Sequence, residues 1–334
     1  MKDKMYEFVI KIFRGKDNWE KSRIRKTIHP ILLRIYIFFK SSSFYMKYCR
    51  GIFYKNTTVE TLQRRPLDWR DYFGELQNLF RVRIPQLECN MGMVCTLKCK
   101  DCNQCNYLLK DKRFFDTDSV INNFDKIISV VDYIQSVSIA GGEVFKAPHL
   151  EKIIEHVANC NKVGCVVVVT NGTVIPTEDV FKALVHKKVM LSISNYPLGE
   201  EFWENRDYLY RECAKRQIHF MNNNKVDQWT DIGEPYRRNK TSLEERETYA
   251  DCWLKDVLSL VDGKLFRCER IYVLDNLGLR KLQKGDFVDV EKVNRTQFRR
   301  EIKKLYKIHT LDACNYCNSP KDRVLIPSGI QVED

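Results

Sequence analysis

No apolar run in this 334-residue chain is long enough to cross a bilayer. The longest, Ile31 to Phe39, covers nine residues and is broken by Arg34, whereas a spanning helix needs about 20. No secretory leader is expected, because the first 26 residues are charged throughout and no small-residue cleavage site follows the apolar stretch. Histidine is scarce: the six present show no ligand spacing, and His149 and His156 read as surface or packing residues of one helix. Internal repeats and low-complexity tracts are absent. What is present, 44% apolar residues, is enough for a buried core across about two domains.

Charge is unevenly placed. Residues 1–85 hold 19 basic and 8 acidic side chains, while the remaining 249 residues hold 37 and 36. Most of the net +12 therefore belongs to an N-terminal extension, 1–80, expected to be mainly helical. The neutral body argues against a nucleic-acid partner, although the basic extension leaves RNA modification as a distant rival. Around the Ile31 to Phe39 run stand Lys21, Arg23, Arg25, Lys26, Lys40, Lys47 and Arg50, with Phe44, Tyr45, Phe53 and Tyr54 nearby. Such a mixture suits a helix lying on an anionic membrane surface. A helix packed on the body with a solvated basic face is the simpler reading. The expected location is cytoplasmic, peripheral at the inner membrane face if the extension meets lipid.

From Arg81 onward, short apolar runs alternate with helical periodicity. The runs are Val82 to Leu87, Ser136 to Ala140, Cys165 to Thr170, Val189 to Ser194 and Gln217 to Met221, and amphipathic segments lie at 118–133, 147–160, 177–187 and 201–216. This alternation predicts an α/β fold with a parallel sheet and crossover helices, its strands apolar on both faces and its chemistry in the loops after the strands. Residues 226–250 are polar and read as a linker or substrate-facing loop, in which Asp227, Trp229, Arg237 and Arg238 suit either a phosphorylated substrate or plain solvation. Val257 to Val261, Asp262-Gly263 and Lys264 to Cys268 predict a β-hairpin, followed by a small C-terminal α+β domain over 251–334.

Thirteen cysteines in a reducing compartment point to metal or redox chemistry rather than disulfides. Cys95, Cys99 and Cys102 follow the first predicted strand in a C-x3-C-x2-C pattern. Three thiolates hold three irons of a cubane and leave the fourth iron open to a small molecule. Cys105 extends the run toward a bacterial ferredoxin pattern, but position 109 is Leu and that pattern fails; zinc is the other alternative. The triplet in this place resembles the mark of the radical S-adenosylmethionine (SAM) superfamily. Gly141-Gly142-Glu143, at the end of the second strand, is similar to that family's GGE motif. The resemblance covers residues 82–220 and implies a partial (β/α)6 TIM-like barrel, a SAM-binding 4Fe-4S cluster, and SAM chelated to its open iron. It further implies that Glu143 meets the methionyl ammonium and that Asn171 and Ser194 contact SAM. Asp101 departs from the aromatic or His residue usual in the family, which bears on the local adenine contact.

A second group, Cys252, Cys268, Cys314 and Cys317, has the arrangement C-x10-G-x4-C, a long gap, then C-x2-C. Four thiolates satisfy either a complete 4Fe-4S cluster or a structural zinc. The pattern resembles the SPASM extension of radical SAM enzymes in its shortened twitch form, which implies one auxiliary 4Fe-4S cluster with no free iron. The other six cysteines, Cys49, Cys89, Cys105, Cys160, Cys165 and Cys213, read as small buried hydrophobes, with Cys105 the exception to watch.

The activity so implied is reductive cleavage of SAM and hydrogen-atom abstraction from a carbohydrate, ending in oxidation or epimerisation. An external low-potential donor of flavodoxin or ferredoxin type would supply the electron. A peptide substrate is the alternative within the class, and a non-catalytic iron–sulfur or zinc protein the alternative outside it.

Overall fold

The computed structural model describes residues 82–221 and 228–332. The basic extension and Asp227 lie outside them. The first strand, β1 (Arg83–Asn90), is followed by α1 (Thr117–Val130), β2 (Tyr133–Ala140), α2 (Leu150–Asn159), β3 (Val163–Thr170), α3 (Glu178–Leu184), β4 (Val189–Ile193), α4 (Glu200–Arg216) and β5 (Phe220–Met221). Strands β1 to β5 stand side by side in chain order and all run parallel. That is the winding of a β/α barrel left open, not of a doubly wound sheet whose order reverses.

Local chemistry sets the element boundaries. Asp116 and Thr177 cap α1 and α3 by accepting backbone N–H groups of Ser119 and Val180. The last strand is shorter than its apolar run, because Gln217 takes a left-handed conformation (φ 58°) that ends α4 and delays β5 until Phe220. Ile153, Ile154, Val157 and Ala158 of α2 and Val180, Phe181, Ala183 and Leu184 of α3 are buried, as a helix covering a sheet requires.

After β6 (Gln228–Thr230) and α5 (Ser242–Ala250) come β7 (Val257–Val261) and β8 (Lys264–Phe266). Asp262 and Gly263, with φ of 47° and 71°, form the tight turn that the hairpin needs. This hairpin does not start a sheet of its own. Strand β7 runs parallel to β1, with Glu88 opposite Ser259, so the sheet reads β5-β4-β3-β2-β1-β7-β8-β9 with β9 (Phe287–Asp289) at its edge. The helices α6 (Arg270–Asn276) and α7 (Arg295–Leu305) and the strand β10 (Leu325–Pro327) complete the described chain. Arg299 of α7 donates to the Val130 carbonyl at the end of α1 and to Asp132, tying the C-terminal part to the barrel side. No helix among the described residues is long and apolar enough to cross a membrane.

The expectation of strands apolar on both faces holds for β3 and fails for β1 and β2. Gln86, Glu88 and Asn90 share one face of β1 with Ser136 and Ser138 of β2 and Ser259 of β7, and Gln86 Nε2 donates to Ser138 Oγ at 3.0 Å. Leu87 and Cys89 point the other way and are fully buried. One face of the sheet centre is therefore polar, the usual sign of a face kept for a ligand rather than for a helix.

Candidate functional site

The loop bearing Cys95, Cys99 and Cys102 leaves the C-terminal end of β1, and the Gly141-Gly142-Glu143 turn leaves the neighbouring end of β2. Backbone bonds stitch the two together: Gly142 N–H to Gly92 O and Glu143 N–H to Val94 O, both 2.9 Å. The paired glycines serve this approach. A Cβ on Gly142 would stand 2.1 Å from the Val94 carbonyl oxygen and 2.8 Å from the Cys95 nitrogen, and one on Gly141 would stand 2.6 Å from Gly92 O. The motif thus sets the first cysteine against the turn before any ligand enters the argument.

Glu143 is fully buried, and its carboxylate is a three-way acceptor. Oε1 takes the Phe145 N–H (2.9 Å) and the Thr170 hydroxyl (2.7 Å), and Oε2 takes the Asn171 N–H (2.8 Å). Burial pushes its pKa up while those three donors pull it down, leaving a net rise. The consequence is transmitted to sulfur. Asn171, fixed at the end of β3 by Glu143, donates Nδ2–H to Cys95 Sγ at 3.5 Å and to Thr96 Oγ1 at 3.0 Å. Ser194 follows one strand further, its N–H bound to Thr170 O at 3.0 Å; beside it the buried Asn195 accepts from the Arg206 guanidinium, which lies 4.1 Å over the Trp203 ring.

The three thiols lie within electrostatic reach of one another, and each has N–H donors aimed at it. Cys95 receives Leu97 N–H and Asn171, Cys102 is favoured as thiolate by the backbone N–H groups of Asn106 and Gln104, and Cys99 receives Gln331 Nε2 at 3.2 Å. Such donors favour thiolates, the form in which cysteine binds iron. Burial works against them in the metal-free chain and pushes Cys99 up to about 12. The donor set fits a cluster held by these three side chains.

The second group also assembles. Cys252 leads into β7, and Cys268 follows β8, so the antiparallel hairpin returns the chain to the start of β7. Cys314 sits on the turn Asp312–Tyr316 and Cys317 follows it directly. Cys268 feels the charge of Cys317, Cys252 and Cys314, and burial pushes it well above the usual thiol range. Arg280 positions the turn: its Nε bonds Asp312 Oδ2 at 2.6 Å while its other nitrogens hold Asp286 at 2.7 and 2.9 Å. All twelve described cysteines are free thiols. Among the described residues no three His, Cys, Asp or Glu side chains draw together as a site for a metal ion.

Between the groups lie Cys105, which the sequence marked, and Glu269, which it did not. Cys105, buried and pushed up to about 11 by burial, feels Arg270, Cys102 and Cys317. Glu269, next to Cys268, is driven well above the carboxylate range by burial and then by the facing Glu88 carboxylate, with Gln104 bonded to it. Asn90 was detectable as a polar residue closing an apolar strand; its Oδ1 holds Gly92 N–H at 2.8 Å. Gln331 carried no local signal at all. Arg237 and Arg238 are engaged within the fold, the first by Asp312 and the second by the carbonyls of Glu234 and Tyr236.

No protein-family model matches the chain, and no curated protein matches it. Solved structures do. BtrN in complex with AdoMet and 2-DOIA is 14% identical over 71% of this chain and 94% of that one, with a TM-score of 0.41. SuiB of Streptococcus suis bound to S-adenosylmethionine is 16% identical over 71% and 70%, TM-score 0.42. Native anSMEcpe with bound AdoMet is 13% identical over 70% and 82%, TM-score 0.44. Likenesses at these values are too distant to assign chemistry.

Proposed function

We propose that this chain is a radical SAM enzyme, with a core over 81–225 and a cluster-bearing C-terminal part over 251–334. One observation carries the reading. Three cysteines in C-x3-C-x2-C spacing sit at the C-terminal end of a parallel strand, each sulfur has N–H donors, and a buried Glu143–Asn171 pair braces the first of them.

In this reading Cys95, Cys99 and Cys102 hold a 4Fe-4S cluster, and Gly141, Gly142, Glu143, Asn171 and Ser194 form the neighbouring wall against which SAM lies. When bound and reduced, the cluster and SAM together supply a carbon-centred radical able to remove a substrate hydrogen atom. The chain's own part is to hold, orient and exclude water. Glu143 fixes the strand ends, Asn171 biases Cys95 toward thiolate, and the polar row of Gln86, Glu88, Ser138 and Ser259 offers hydrogen bonds to a polyhydroxylated molecule. That row, joined through Glu269 and Gln104 to the Cys102 turn, supports a carbohydrate substrate, oxidised or epimerised.

Cys252, Cys268, Cys314 and Cys317 are proposed to hold one auxiliary 4Fe-4S cluster. The mutual electrostatic influence of the four thiols, with Cys252 and Cys268 at the base of the β7–β8 hairpin, supports a shared centre. With four protein ligands it has no open iron, so its role is to take or pass an electron. The first cluster is to be fed by an external low-potential protein of flavodoxin or ferredoxin type.

Anaerobic reconstitution followed by reductive assay tests the reading. The expected result is 5′-deoxyadenosine from the intact chain, none from Cys95→Ala, and cleavage without product from Cys314→Ala. Equal turnover by both variants, or no cleavage by the intact chain, would overturn it. Deuterium from solvent entering the product separates epimerisation from oxidation.

A further inference from the structure

The three sulfurs of the first group draw their N–H donors from different places. Cys95 uses its own loop and the end of β3, and Cys102 uses its own turn. The donor to Cys99 comes from Gln331, 232 residues away in sequence. The segment carrying it lies antiparallel to the cysteine loop: Lys100 N–H bonds Ile330 O at 2.7 Å, Val332 N–H bonds Lys98 O at 2.9 Å, and Cys99 and Gln331 face each other as a bridge.

The carboxamide of Gln331 has a fixed sense. Its Oε1 accepts the Lys98 N–H at 2.8 Å, a group that can only donate, so the NH2 end must face the other way. It finds two acceptors there, Gly329 O at 2.6 Å and Cys99 Sγ at 3.2 Å. The segment is seated from its other end as well. Strand β10 pairs with β6, and Gly329 (φ 69°) lies so close to Tyr196 that a Cβ would stand 2.6 Å from the ring.

Resting on the reading of Cys95, Cys99 and Cys102 as cluster ligands, we propose that Gln331 is a positioning residue that sets the reduction potential of that cluster. An N–H aimed at a ligating sulfur stabilises the electron-rich, reduced cluster more than the oxidised one and so raises its potential. The electron affinity of the first cluster is thereby tied to the seating of residues 325–332.

The test compares the full-length chain with Gln331→Leu and Gln331→Glu, each reconstituted anaerobically. Iron content is measured, and the midpoint potential is read from the paramagnetic signal that changes when SAM is added. Gln331→Glu keeps an acceptor for Lys98 N–H and puts a charged acceptor where the donor to Cys99 stood, whereas Leu removes the donor without adding charge. The expected result is unchanged iron content with the SAM-responsive signal shifted to more negative potential, further for Glu than for Leu. An unshifted potential in both variants overturns the proposal, as does loss of the cluster from both while the intact chain loads. An intact chain with no SAM-responsive cluster sinks the underlying reading instead.

Discussion

Glu143 holds the backbone of Asn171 at 2.8 Å, and the side chain of Asn171 in turn reaches Cys95 sulfur at 3.5 Å. A carboxylate with no exposed surface thus governs the environment of a thiol on the loop after a different strand. Glu143→Gln places an amide N–H against the Asn171 or Thr170 donor. The expected cost is about 1–3 kcal/mol of stability, the penalty of a buried donor left unsatisfied. Denaturant unfolding measures it, and iron incorporation should fall with it because Asn171 loses its anchor.

Gly142→Ala should be more severe for the site than for the fold. Its Cβ would press on Val94 O and Cys95 N, at 2.1 and 2.8 Å, where backbone rather than a flexible side chain must yield. Lower iron content at the first site with helical circular dichroism preserved is expected. Full iron loading by this variant contradicts the close approach.

Cluster loading should depend steeply on pH. Burial pushes Cys99 and Cys314 up to about 12 and raises Cys95 and Cys268 as well, so these thiols are neutral in the metal-free protein and must lose protons to bind iron. Affinity should rise with pH, by about tenfold per unit for each proton released. Proton release into a weakly buffered solution during anaerobic loading counts them; none released refutes the raised values.

Arg280→Met removes the cation that joins Asp286 to Asp312, leaving Asp286 buried without its partner. We expect a loss of about 3 kcal/mol, typical for breaking a buried pair, and weaker metal retention at Cys314 and Cys317. Burial raises Asp312, but Arg280 and Arg237 outweigh it and hold the carboxyl below its ordinary value. Such a depressed group stabilises the fold above the unfolded carboxylate pKa of about 3.9. That contribution is lost as pH falls through the folded value. Acid unfolding of the variant should therefore lack part of the intact chain's transition at low pH.

Cys105→Ala should leave iron stoichiometry unchanged. Its thiol is buried, neutral and between the two groups rather than a member of either. Loss of one group's iron in this variant would make Cys105 a ligand.

Much of the parallel sheet was readable because Val and Ile runs bounded by amphipathic segments have few other ways to be buried. Thr170 and Asn171, for example, close such a run as expected. The polar face of β1 was not readable from the run alone, since Gln86, Glu88 and Asn90 look like strand-ending residues until Ser138 and Ser259 are placed opposite them. Spacing brings Cys95, Cys99 and Cys102 within electrostatic reach because one loop carries all three, whereas Cys314 and Cys317 reach Cys252 and Cys268 only through the fold. Glu143 stands out for its charge, and in the fold its carboxylate also accepts from Phe145, Thr170 and Asn171, a role that motif spacing does not encode. Gln331 and Glu269 act across distant pairings, and no local pattern marks either.

The alignment of β7 beside β1 ties the strand that leads to Cys95 to the one that follows Cys252. In the proposed reading, two clusters held by loops that flank paired strands of one sheet keep a fixed separation. Electron hopping between them then needs no hinge motion, and its rate should be insensitive to solvent viscosity.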